Sequence, residues 1–194
     1  CAIRIKKDYF DPYYNIGNTF ISISDFSKAI IFLKEGLKIK KNDCNSINSI
    51  AIALKEKGDL ISSVKYSLKA LEINNKSPAI INNLGTTYHL LDNFELAKNC
   101  FRSALEINSN LPEAHSNLGL IFQEEGNYES AIKSFQKALM IRSDFPDAMN
   151  NLAITFMYKG DLKKAFTYFK KALEIKPNFP NAYFNLGNLF EKKG

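Results

Sequence analysis

Residues 112–122 read PEAHSNLGLIF, residues 146–156 read PDAMNNLAITF, and residues 180–190 read PNAYFNLGNLF. The spacing is thirty-four residues each time. A fixed period of this length marks a repeat architecture, and the rest of the chain follows from it. Taking Pro112 as position one, units open at Phe10, Cys44, Pro78, Pro112, Pro146 and Pro180, with no insertion or deletion. Position seven is always aliphatic (Ile16, Ile50, Leu84, Leu118, Leu152, Leu186), and position eight is always tiny (Gly17, Ala51, Gly85, Gly119, Ala153, Gly187).

Positions 4, 7, 8 and 11 recur at steps of three and four, which places them on one stripe of a helix. Positions 20, 24, 27 and 28 form a second stripe. Between the two stripes stand Gly58, Gly126, Gly160 and Gly194, where a helix end tolerates a left-handed residue. Asp25, Asp59, Asn93, Asn127 and Asp161 follow, with side chains suited to capping the second helix. Asn or Asp then marks the next turn, and Pro opens the next first helix, where its missing N–H costs nothing. Each unit therefore reads as helix–turn–helix. Small residues at positions 8, 20 and 27 allow close approach, and large ones at 11 and 24 fill the gap between helices.

This pattern resembles the tetratricopeptide repeat (TPR) family. The resemblance implies an all-α, right-handed superhelical solenoid of antiparallel helix pairs. Five complete repeats are expected at 10–43, 44–77, 78–111, 112–145 and 146–179. The end of a preceding repeat is expected at 1–9, and the first helix of a further one at 180–194. The second unit is the weakest match, with Ser63 and Ser67 at core positions, and Gly36 is expected to leave the first unit's second helix underfilled. Residues 24–77 should be the softest stretch. No polar capping helix is visible at either end, so the chain reads as an excerpt of a longer array, with self-association through uncapped ends as a further expectation.

The 194 residues are 45% hydrophobic and 24% charged, which excludes a disordered class. No apolar run reaches the roughly 18 residues that cross a bilayer, so no membrane partner is expected. Cys1, Cys44 and Cys100 form neither a disulfide framework nor a metal motif, and a reducing, cytoplasmic setting is inferred. Nucleotide-binding, zinc-protease and nucleophile-elbow motifs are missing. His115 fills a core position, and His89 has no second ligand at metal spacing. No cofactor, no metal and no enzymatic activity are expected. The formal charge is +6, but many of the basic residues sit on second helices and the aromatics fall at core positions rather than between the lysines, so nucleic acid is not an expected partner.

Position six is Asn15, Ser49, Asn83, Asn117, Asn151 and Asn185. Asn is a mediocre helix former, so local structure does not require it there. Copying from one ancestral unit competes as an account of the row, yet positions 4 and 5 have diverged while position 6 has not. In TPR superhelices the first helices line the concave groove, so the row is expected to face a guest. A carboxamide both donates and accepts, and it therefore matches the backbone of an extended chain. Neighbouring specificity is expected from Asp11, Glu113 and Asp147, from Asn82 and Asn150 at position 5, and from Asn18 and Asn188 at position 9. AHSNLG and NAYFNLGN are similar to the asparagine ladder in the TPR arm of the O-GlcNAc transferase family. The resemblance implies a scaffold that binds an extended peptide or partner protein in the groove. It also leaves open the substrate arm of a larger modifying enzyme and a structural, self-associating module. Positions 2 and 5 carry no Lys or Arg, which disfavours a carboxylate clamp.

Overall fold

The computed structural model describes residues 9–193. Residues 1–8 and Gly194 lie outside the described residues, and with them fall Cys1 and nearly all of the partial repeat expected at 1–9. The described residues form eleven α-helices and no strand. They are α1 (Phe10–Ser22), α2 (Phe26–Ile39), α3 (Cys44–Glu56), α4 (Leu60–Ile73), α5 (Pro78–Leu90), α6 (Phe94–Ile107), α7 (Pro112–Glu124), α8 (Tyr128–Ile141), α9 (Pro146–Tyr158), α10 (Leu162–Ile175) and α11 (Pro180–Lys193). First helices open thirty-four residues apart, at Phe10, Cys44, Pro78, Pro112, Pro146 and Pro180. The chain divides into two compact units, 1–107 and 108–194. The first holds α1–α6, three helix pairs, and the second holds α7–α11, two helix pairs followed by α11.

The turns form as their chemistry dictates. All five second helices are capped by the expected side chains. Asp25 accepts from the Lys28 N–H at 3.1 Å, Asp59 from Ser62 at 3.1 Å, Asn93 from Leu96 at 3.2 Å, Asn127 from Ser130 at 3.2 Å and Asp161 from Lys164 at 3.1 Å. Just before the caps, Gly58, Gly126 and Gly160 have φ of +84°, +73° and +81°. The same place in the first and third repeats is taken by Ser24 and Asp92, at φ +61° and +58°. The left-handed turn is thus imposed by the helix pair, even on residues whose Cβ is crowded by it.

Inside each pair, position 8 meets position 24. A Cβ on Gly85 would come within 2.6 Å of the Phe101 ring, one on Gly119 within 2.7 Å of Phe135, and one on Gly17 within 2.5 Å of Leu33 Cγ. Phe101, Phe135 and Phe169 are fully buried, together with the small residues at positions 20 and 27 of the same repeats. Aromatic rings therefore press directly on first-helix backbone, and that contact sets the spacing of the pair.

Gly36 corrects one expectation. Its position is not underfilled, because Tyr13 and Phe10 close over it, and an added Cβ would meet Tyr13 Cβ at 3.1 Å. The second repeat does differ. Ser63 Oγ donates to the Ala51 carbonyl at 2.9 Å and shares a hydrogen bond with Thr87 Oγ1 at 3.2 Å, while the buried Ser67 Oγ has no partner.

Candidate functional site

The asparagines of position 6 lie on first helices, and each unit carries its own part of the row. In the first unit Asn15 on α1 is exposed, Ser49 on α3 is buried, and Asn83 on α5 is half-buried. Ser49 Oγ donates to Asn18 Oδ1 at 2.9 Å, and Asn83 Nδ2 approaches Asn48 Oδ1 at 3.4 Å. In the second unit Asn117, Asn151 and Asn185 are half-buried on α7, α9 and α11. Asn185 Nδ2 donates to Asn150 Oδ1 at 3.1 Å, and Asn150 Nδ2 donates to Asn151 Oδ1 at 3.3 Å. Asn82 and Asn150 are buried, Asn188 is half-buried, and neither Asn82 nor Asn117 is a free side chain.

One pair in each unit shares a relation: position 6 donates to position 5 of the preceding first helix, thirty-five residues earlier. Part of the row's hydrogen-bonding capacity is thus taken up in stitching consecutive first helices together. In the second unit Asn185 keeps its Oδ1 and Asn151 its Nδ2 outside this chain of bonds. One acceptor and one donor therefore remain at its two ends, and they are complementary to the N–H and C=O of a peptide.

Two of the three acids expected to supply specificity, Glu113 and Asp147, are ion-paired, while Asp11 is exposed. Arg142 Nη1 donates to Glu113 Oε1 at 2.6 Å, and the guanidinium lies 3.7 Å from the Phe145 ring centroid. Lys176 stands 3.8 Å from Asp147 and 4.3 Å over Phe179. In the first unit Lys40 feels the charge of Asp11, although its direct ion pair is with Asp43 at 2.6 Å. Sequence reading missed this pairing, yet the signal was present. Position 31 is basic (Lys40, Arg142, Lys176) where position 2 is acidic (Asp11, Glu113, Asp147), and it is Asn (Asn74, Asn108) where position 2 is neutral (Asn45, Ala79).

The reactive side chains are packed. Burial raises the Cys100 thiol to about 11 and pushes the Cys44 thiol up, so both stay protonated at neutral pH. Cys44 Sγ lies 3.5 Å from the Ala70 carbonyl. The His115 ring bonds the Ser109 carbonyl at 3.0 Å, and burial is the main cause of its lowered pKa. His89 rests against Phe94, with ring centroids 5.7 Å apart.

Family models for tetratricopeptide repeats match residues 10–43 and 76–144, and a TPR repeat model matches residues 154–194. The chain belongs to the tetratricopeptide-repeat family. Among solved structures this TPR chain is similar to TTC0263, a thermophilic TPR protein of Thermus thermophilus. The TM-score is 0.84 and the identity 18%, over 94% of this chain and 99% of that one. It is also similar to YrrB, described as a TPR protein with an unusual peptide-binding site. There the TM-score is 0.63 and the identity 24%, over 96% of both chains. These likenesses show the fold. A curated relative, the photosystem I assembly protein Ycf3 of Prochlorococcus marinus subsp. pastoris, is 30% identical over 90 residues. Those residues are 45% of this chain and 51% of the relative, so the TPR chain spans about half the length of the curated relative it matches. No described helix is long and apolar enough to cross a membrane.

Proposed function

We propose that this TPR chain is a protein-interaction scaffold of the cytoplasm that holds an extended polypeptide along its first-helix faces and acts by binding rather than by catalysis. The observation that carries the reading is the chain of amides Asn185–Asn150–Asn151. It fixes the carboxamides in place by internal bonds and leaves an acceptor on Asn185 and a donor on Asn151 for a guest. Side chains held in this way lose little further rotamer freedom when a guest binds. Asn15 offers a whole carboxamide in the first unit. The guest's backbone rather than its side chains is read, so sequence demands on it are low. A relative named for assembly of a protein complex and a fold neighbour described as peptide-binding support the same reading.

A peptide array probed with the chain and with its Asn15→Ala/Asn83→Ala/Asn151→Ala variant tests the proposal. Each lost contact weakens binding by about 0.5–1.5 kcal/mol. Affinity for many unrelated extended peptides should fall together while helicity by circular dichroism is retained. Equal binding by both proteins would assign the row to the fold alone.

A further inference from the structure

The helix α4 turns the second-helix pattern inside out. At position 24 the other second helices bury Leu33, Phe101, Phe135 and Phe169, and at position 25 they expose Lys34, Arg102, Gln136 and Lys170. In α4 the buried residue is Ser67 and the exposed one is Leu68. Earlier on the same helix the exchange repeats. Ser63 is buried where the other four repeats place Ala, and Ile61 is 72% exposed where the others hold Ser27, Glu95, Glu129 and Lys163. Aliphatic side chains stand on the outside while hydroxyls occupy the core.

Ile61, Val64 and Leu68 fall at i, i+3 and i+7, so they form one stripe along the outer face. With Lys65, Lys69 and Glu72 they line a groove of about 470 Å³. Lys65 and Lys69 are exposed, stand one turn apart on the same flank, and form no ion pair among the described residues. Isolated surface aliphatics need no explanation, whereas these three share one groove with a charged border.

We propose that this face of α4 docks an amphipathic helix of a partner protein, with aliphatic residues at i, i+3 and i+7 and carboxylates along the edge that meets Lys65 and Lys69. From Ile61 to Leu68 the stripe rises about 10 Å, two turns of a helix, and suits ridge-into-groove packing of a second helix. Lys65 and Lys69 outnumber Glu72 along this border, so its net positive charge complements acidic flanks and disfavours basic ones. A second copy of this chain presenting the same face would bring two lysines from each side together with only one Glu72 apiece to offset them, which disfavours self-pairing here. The surface is on a second helix, so it is independent of the asparagine row and stands or falls without it.

The test uses a labelled helical peptide with Leu at i, i+3 and i+7 and Glu on one flank, and a matched peptide with Lys on that flank, titrated by fluorescence anisotropy. The variant Ile61→Ser/Leu68→Lys installs the residues that the first repeat carries at Ser27 and Lys34, and it leaves the core untouched. The Glu-flanked peptide should bind saturably, and this variant should weaken it by about tenfold or more with an unchanged melting temperature. Lys65→Glu/Lys69→Glu should reverse the preference toward the Lys-flanked peptide. Four results overturn the proposal: no binding of the Glu-flanked peptide, equal binding of both peptides, a concentration-dependent dimer that Ile61→Ser/Leu68→Lys abolishes, or binding only to phosphatidylserine vesicles.

Discussion

Asn185 donates an amide hydrogen to Oδ1 of Asn150 at 3.1 Å, and Asn83 stands toward Asn48 in the same thirty-five-residue relation. Asn150 is buried and also donates to Asn151, so it is the joint through which two first helices of the second unit are tied. Removing it strands the Asn185 donor and the Asn151 acceptor together. Asn150→Ala should therefore cost about 1–3 kcal/mol in urea unfolding. Asn151→Ala, at a half-buried end of the chain, should cost less. A smaller loss at Asn150 than at Asn151 would contradict this division of labour.

Gly85 and Gly187 share position 8 but not surroundings. A Cβ at Gly85 would stand 2.6 Å from the Phe101 ring and 3.0 Å from Cys100 Cβ, whereas one at Gly187 meets nothing within 4 Å. Gly85→Ala should destabilise by about 1–3 kcal/mol through overpacking. Gly187→Ala should stabilise α11 by up to about 1 kcal/mol, the difference in helix propensity. Thermal melts of the two variants should move in opposite directions.

Ser24 and Asp92 hold the left-handed turn that glycine holds in three other repeats. Replacing either with Gly should raise stability by about 1 kcal/mol, because the Cβ clash with the following carbonyl disappears. The gain should be larger at Ser24, since Asp tolerates this conformation better. Urea midpoints of Ser24→Gly and Asp92→Gly check both the sign and the order.

His115 makes stability depend on pH. Burial lowers its pKa below the ordinary 6.5, with Lys137 acting in the same direction and the Ser109 carbonyl opposing. The unfolded chain therefore takes up the proton first as pH falls. Its contribution is intact above about pH 6.5 and is lost as pH drops from there through the folded value. His115→Gln should flatten the stability profile between about pH 7 and pH 5 relative to the parent. An unchanged slope would place the titration elsewhere.

Much of this fold was legible because its causes are local. The caps Asp25, Asp59, Asn93, Asn127 and Asp161 bond the turn that follows them, so the sequence alone locates those helix starts. The tiny residue at position 8 and the ring at position 24 announce a close approach between the two helices of one repeat. Gly36 was misread, because the residues that close over it, Phe10 and Tyr13, sit on the preceding helix and compensate for a missing side chain. The acid–base pairs were encoded but overlooked. Glu113 and Arg142 lie twenty-nine residues apart, and only comparison of positions 2 and 31 across repeats exposes the rule.

The period, the helix pairs, the caps and the left-handed turns were determined by the amino-acid sequence itself, since each depends on residues within a turn or a hairpin of one another. Only the tertiary structure decided how the asparagines divide between stitching and display, and that α4 carries its aliphatic stripe outward. The reason is physical: helical periodicity says which side chains share a face, but a polar group's partner depends on where the next helix sets its atoms.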